Sequence, residues 1–132
     1  MNNYNIKKTW IERLAASTDA TQTTDFLCKV ENNGKCTYCA MGLLAEILVE
    51  AKYLDCVVET LSNGNVVKRY IDVSDGQRTP FEEEMIPRNL LHRIYIPSSL
   101  QNSVVSLNDN KCASFNEIKK MLLEDYPEVF VE

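Results

Sequence analysis

The sequence predicts an α+β domain in which a small antiparallel sheet with a hairpin packs on a central buried helix, with amphipathic helices flanking it. Three observations predict this class: Asn63-Gly64 between two β-branched segments, a nearly all-apolar run from Tyr38 to Ala51, and helical apolar spacing near both ends. At 132 residues and 45% hydrophobic, the chain fits a single compact domain over 1–132. A chain of that size buries roughly two-thirds of the surface it exposes when unfolded.

Each element has a local chemical basis. Ile6, Trp10, Ile11 and Leu14 recur at helical spacing between Asn5 and Ala16, with Lys7, Lys8, Glu12 and Arg13 on the remaining face. Ser17 to Asp25 is small, polar and rich in groups that compete with the backbone for hydrogen bonds, so it reads as an ordered loop. That loop is either an exposed connection or the polar wall of a site that includes Gln22. Phe26 to Val30 suits a short strand, and Glu31 to Lys35 supplies a turn. The helix expected over Tyr38–Ala51 has only Glu46 and Glu50 as a polar stripe, so it is buried on most sides. Gly42 within it costs about 1 kcal/mol relative to Ala, which close backbone packing or close ligand approach must offset.

Asn63-Gly64 joins Cys56–Ser62 to Asn65–Ile71. A two-residue turn there pairs Leu61 with Val66, Glu59 with Lys68 and Val57 with Tyr70. Both faces of the hairpin are partly apolar, so it is expected to extend a sheet or to meet a second copy in a homodimer. Asp72 to Pro80 reads as a loop, and Pro87, Pro97 and Pro127 each mark the start of a new segment. Leu90, Leu91 and Ile94 predict a short helix, Ser98 to Leu107 another, and Ser114 with Glu117 a capping box opening the last.

The net charge of -5, from 14 basic and 19 acidic residues, argues against direct nucleic-acid binding, which needs a basic surface to displace counterions. Glu82-Glu83-Glu84 and the acidic residues Glu124, Asp125, Glu128 and Glu132 read as solvated faces. No window approaches the ~18 apolar residues of a spanning helix, and Met1 to Asn5 lacks a signal core, so no membrane role and a cytoplasmic location are expected. Five cysteines, an odd number, predict reduced thiols rather than a disulfide framework.

Trp10, Gln22, Tyr38-Cys39-Ala40-Met41-Gly42-Leu43-Leu44, Leu107-Asn108-Asp109 and Ser114-Phe115-Asn116-Glu117-Ile118 together resemble a group of small bacteriophage and prophage proteins. In that group the order is Trp, Gln, Tyr-Cys-Cys-Leu-Gly-Val-Leu, Leu-Asn-Asp and Ser-Phe-x-Glu-Ile. Ala40 stands where the group has a second cysteine, and the stretch near Gln22 is threonine-rich where the group is basic. The resemblance implies a phage or mobile-element origin, hence the host cytoplasm, and an accessory protein that counters a host defence by binding something.

Two reactive constellations are only partly present. Cys39 at a helix start is placed for a lowered thiol pKa, and His92 is the only histidine to serve it as a base in a cysteine hydrolase or transferase. Cys36 and Cys39 form a C-x2-C pair that Cys28 with Cys112 or His92 would have to complete as a zinc site. Neither set is complete, so no catalytic residue, metal or cofactor is expected. No glycine-rich loop precedes a helix, which excludes the common phosphate cradle. A nucleotide would instead be held by side chains: Arg78, Arg88 and Arg93 on phosphate, a ring such as Trp10, Phe81 or Tyr95 against a base, and Asn108 or Asp109 on ribose or base donors, with Gln22 a further ligand-binding candidate. The expected function is non-enzymatic sequestration of a small nucleotide-like signal or blockade of a host defence protein. The alternative is inhibition of a host enzyme through the acidic surface.

Overall fold

The computed structural model describes residues 2–17, 21–82 and 84–131, and Thr18 to Ala20, Glu83 and Glu132 of the segments above lie outside them. The fold is α+β. Helix α1 (Asn3–Ala16) starts from Asn2, whose side chain accepts from the Asn5 amide at 2.8 Å. Strands β1 (Cys28–Val30), β2 (Cys36–Tyr38), β3 (Leu54–Thr60) and β4 (Val66–Asp72) form one antiparallel sheet in the order β2-β1-β4-β3. Helix α2 (Ala40–Glu50) lies between β2 and β3 in the chain; α3 (Arg88–Arg93), α4 (Ser98–Val105) and α5 (Phe115–Asp125) complete the helical layer. Five residues of π-helix, Ser106–Asn110, prolong α4, and a 3-10 turn, Pro127–Phe130, comes after α5.

Helix α2 is the centre of the core, as its composition predicts: Met41, Leu44, Ala45, Ile47 and Leu48 are fully buried. Ile6, Trp10 and Leu14 of α1 and Phe115, Ile118 and Leu122 of α5 belong to the same apolar cluster. The expected start at Tyr38 is corrected. Tyr38 ends β2, opposite Cys28, and Cys39 is the N-cap residue whose Sγ accepts from the Gly42 amide at 3.3 Å. Strand β2 is three residues long, too short to alternate recognisably, which is why helix periodicity absorbed its last residue.

The hairpin register also differs by one residue. Leu61 donates to the Asn65 carbonyl at 2.8 Å and the Gly64 amide to Leu61 O at 3.0 Å, with Gly64 at φ +91°. The loop is therefore Ser62-Asn63-Gly64, a tight turn finished by one left-handed glycine, not a two-residue turn. Val58 opposes Lys68, Glu59 opposes Val67 and Val57 opposes Arg69. The expected Glu59–Lys68 pair does not form; Arg69 meets Glu59 at 3.4 Å instead.

Gly42 is explained by packing. A Cβ built there falls 1.7 Å from the Leu27 carbonyl oxygen, and backbone cannot withdraw as a flexible side chain would. Leu27 O is already held by the Cys39 amide at 3.3 Å. Gly42→Ala should therefore lower stability by about 2–3 kcal/mol despite the better helix propensity of Ala, as read from the urea midpoint of unfolding; an unchanged or raised midpoint would refute the close approach.

Candidate functional site

Trp10, Gln22 and Asn108, three of the residues that carry the resemblance, converge on the N-terminus of α2. The π-helical turn aims Asn108 inward, where it is 1% exposed. Its Oδ1 accepts from Gln22 Nε2 at 2.8 Å and from the Ala40 amide at 3.2 Å, and its Nδ2 donates to Thr23 O at 2.9 Å and Asp109 Oδ1 at 2.8 Å. Gln22 Nε2 also donates to Ala113 O at 2.8 Å, and Trp10 Nε1 donates to Ala40 O at 2.9 Å. Three segments far apart in sequence are thus tied through one amide. Asn108 satisfies one of the helix-end amides that lack an intrahelical acceptor, and Cys39 satisfies another. Burial pushes the Cys39 thiol up to about 12, against the opposing effect of the Gly42 amide; this is a structural cap and not a thiolate. His92 is exposed on α3, beside Tyr95, Ile96 and Pro97.

A second polar group that sequence reasoning missed lies where α2 meets the sheet. Glu46 accepts from Tyr70 Oη at 2.7 Å, Tyr38 Oη at 3.3 Å and Lys68 Nζ at 3.0 Å. Burial, then the Glu46 charge, holds both phenols protonated, far above the ordinary tyrosine value. Burial works against the Lys68 ammonium, but the hydrogen bond and charge of Glu46 outweigh it and raise its pKa. Cys28, opposite Lys68, has its thiol pKa raised by burial first and by neighbouring Cys36 next. The available signal was Glu46 itself, the carboxylate in the middle of an apolar helix. Among the described residues no three of His, Cys, Asp and Glu are placed to hold a metal ion.

The remaining candidates divide. Arg78 is paired with Asp55, and Arg93 with Asp72, so both guanidiniums already face carboxylates. Phe81 and Arg88 come together on a cleft of about 340 Å³ between the 81–88 segment and α4, with Glu82, Met85, Ser98 and Asn102 also on its walls. Its framework is pinned. Gln101, 2% exposed, donates to Ile86 O at 2.9 Å and accepts from the Ile86 amide at 2.8 Å. Arg69 Nη2 donates to Phe81 O at 2.8 Å, the Phe81 amide donates to Tyr70 O at 3.0 Å, and the two rings stack with centroids 6.3 Å apart. Arg88 is exposed and forms no ion pair among the described residues.

Fold and site define an α+β domain with a buried polar hub and a side-chain cleft. Comparison of the chain with protein-family models, with curated proteins and with solved structures finds no match. Among the described residues no helix is long and apolar enough to cross a membrane.

Two measurements probe the hub. Asn108→Ala leaves the Ala40 amide and Thr23 O without their side-chain partner and Gln22 Nε2 with Ala113 O alone, so unfolding free energy should fall by about 2–4 kcal/mol; a loss within the error of urea titration would remove the hub from the fold. The buried thiols also set an alkaline limit. Cys39 keeps its proton in the folded chain up to about 12, whereas an unfolded thiol ionises near about 8.5, so the unfolded state binds fewer protons above that value. Stability should be intact below about pH 8 and then fall by about 1.4 kcal/mol per pH unit for each such thiol. Urea titrations from neutral to alkaline pH should show this decline, and Cys39→Ser should make it shallower; equal slopes would contradict it.

Proposed function

We propose that the protein is a non-catalytic binding protein that captures a small nucleotide-like ligand in the cleft between the 81–88 segment and α4. The observation that carries this reading is the meeting of Phe81 and Arg88 on one cleft whose framework is fixed by Gln101 and Arg69. Its chemistry is divided as a nucleotide requires. Phe81 and Met85 offer apolar surface to a base, Arg88 a guanidinium without an ion pair among the described residues to a phosphate, and Glu82 a carboxylate to ribose hydroxyls or an exocyclic amine. Arg78 and Arg93 are neutralised at their own ion pairs and contribute little positive field of their own. The role is sequestration rather than turnover: Cys39 is a protonated cap, and it lies at the α2 N-terminus, apart from the residues that line the cleft. In the phage setting that the motif resemblance implies, such a protein withdraws a host defence signal in the host cytoplasm.

The test is a thermal-shift and calorimetry panel of AMP, cyclic AMP, cyclic dinucleotides and ADP-ribose. At least one should raise the melting temperature. Arg88→Ala should then weaken binding about tenfold or more, the equivalent of about 1.4 kcal/mol, while Arg78→Ala leaves it unchanged. No shift from any member of the panel, or equal losses from both arginines, would overturn the reading.

A further inference from the structure

The two edges of the sheet are finished differently. At the β2 edge Gln22 forms a parallel bridge with Tyr38, and the Thr23 amide donates to Tyr38 O at 2.9 Å. Among the described residues no such bridge lies along the outer side of β3. Its register with β4 is continuous from Leu54 to Thr60, without a bulge; it contains neither proline nor lysine, and its two charged residues, Asp55 and Glu59, are paired with Arg78 and Arg69. Leu61 N bonds Asn65 O at one end and Val73 N bonds Tyr53 O at the other. By the alternation of antiparallel ladders, odd-numbered residues of β3 therefore bond to β4, and the N–H and C=O groups of Cys56, Val58 and Thr60 point away from it. Val57 is 40% and Val58 64% exposed, one on each face.

We infer that this edge binds a second copy of the chain, antiparallel, with a two-fold axis midway between Val58 and the Val58 of the second copy. A two-fold axis perpendicular to the sheet permits only registers in which one residue faces itself. Centring on Val57 sets Asp55 opposite Glu59 twice, and like charges directly opposite are destabilising. Centring on Val58 sets Val58 against Val58, Cys56 against Thr60 and Val57 against Glu59 of the second copy, with no like charges opposed. It also places the most exposed valine at the middle of the contact. Centring on Cys56 moves Val58 to the periphery, opposite Leu54, which is only 1% exposed and already committed to its own core. The sheet then runs continuously through both copies, and its backbone bonds supply the association. This inference is independent of the ligand cleft.

Sedimentation equilibrium of the full chain in the micromolar range tests it. Wild type should run at twice the 15.1 kDa monomer mass, and Val58→Lys should run as a monomer with an unchanged circular dichroism spectrum. The register is read separately by oxidation with diamide, which accepts the two electrons and two protons that a thiol pair gives up as its disulfide forms. In the Val58-centred register, Val58→Cys sets two thiols on Cα atoms about 5.5 Å apart, within the disulfide range of about 4.4–6.8 Å. The native Cys56 thiols are offset by about 13 Å along the strands. Peptide mapping should find a disulfide between the introduced thiols and none between Cys56 and Cys56. Monomeric wild type, which leaves the edge to a strand of another protein, overturns the inference. A dimeric Val58→Lys variant or a Cys56–Cys56 link in wild type does the same.

Discussion

The amide of Asn108 is the constraint on which the rest of the structure depends. An α-helix that begins inside a protein brings buried amide donors that its own turns do not satisfy, and α2 begins inside this one, with Ala40 fully buried. Asn108 and Cys39 answer those donors from two directions. The same side chain then holds Gln22 and Thr23 in place, and those two residues close the β2 edge of the sheet. One planar group with two acceptor lone pairs and two donors therefore positions the central helix, the polar loop and one sheet edge together. No apolar residue of similar volume could do so.

Two close approaches make that arrangement specific. Leu27 O lies where any side chain at position 42 would have to be, which fixes how near β1 comes to α2. Glu46 then collects two phenols and an ammonium at the helix–sheet boundary. A half-buried carboxylate with three donors is satisfied in only one relative placement of helix and sheet. The apolar contacts around it supply the bulk of the stabilisation but tolerate more slippage.

Much of the fold was legible because its signals are local. The Ser114–Glu117 capping box needs only four consecutive residues and is formed as read, and the apolar run of α2 announces burial without reference to any neighbour. What was not legible depends on separation. Arg78 and Arg93 are indistinguishable from Arg88 in sequence, yet the first two find Asp55 and Asp72, 23 and 21 residues away, and the third finds no carboxylate among the described residues. Phe81 and Arg88 could be named as separate candidates, but their shared cleft arises from α4 packing beneath them through Gln101, which carried no mark of its own. Gln22 and Asn108 were named for their polarity. They were found bonded to each other, because buried amides serve folds and ligands with the same hydrogen bonds.

The Ser62-Asn63-Gly64 loop has a reach beyond its own three residues. Side chains alternate across a strand, so loop length decides which surface of the sheet each residue of β4 occupies relative to β3. With this loop, Lys68 shares a surface with Val58 and Cys28, and Arg69 one with Val57 and Glu59. An insertion or deletion here that slipped the pairing by one residue would exchange the inner and outer side chains of β3 or β4. The number of loop residues therefore bears on the whole hairpin, while Gly64, at φ +91°, and Asn63, whose side chain accepts from the Asn65 amide at 3.0 Å, set the shape of the turn itself.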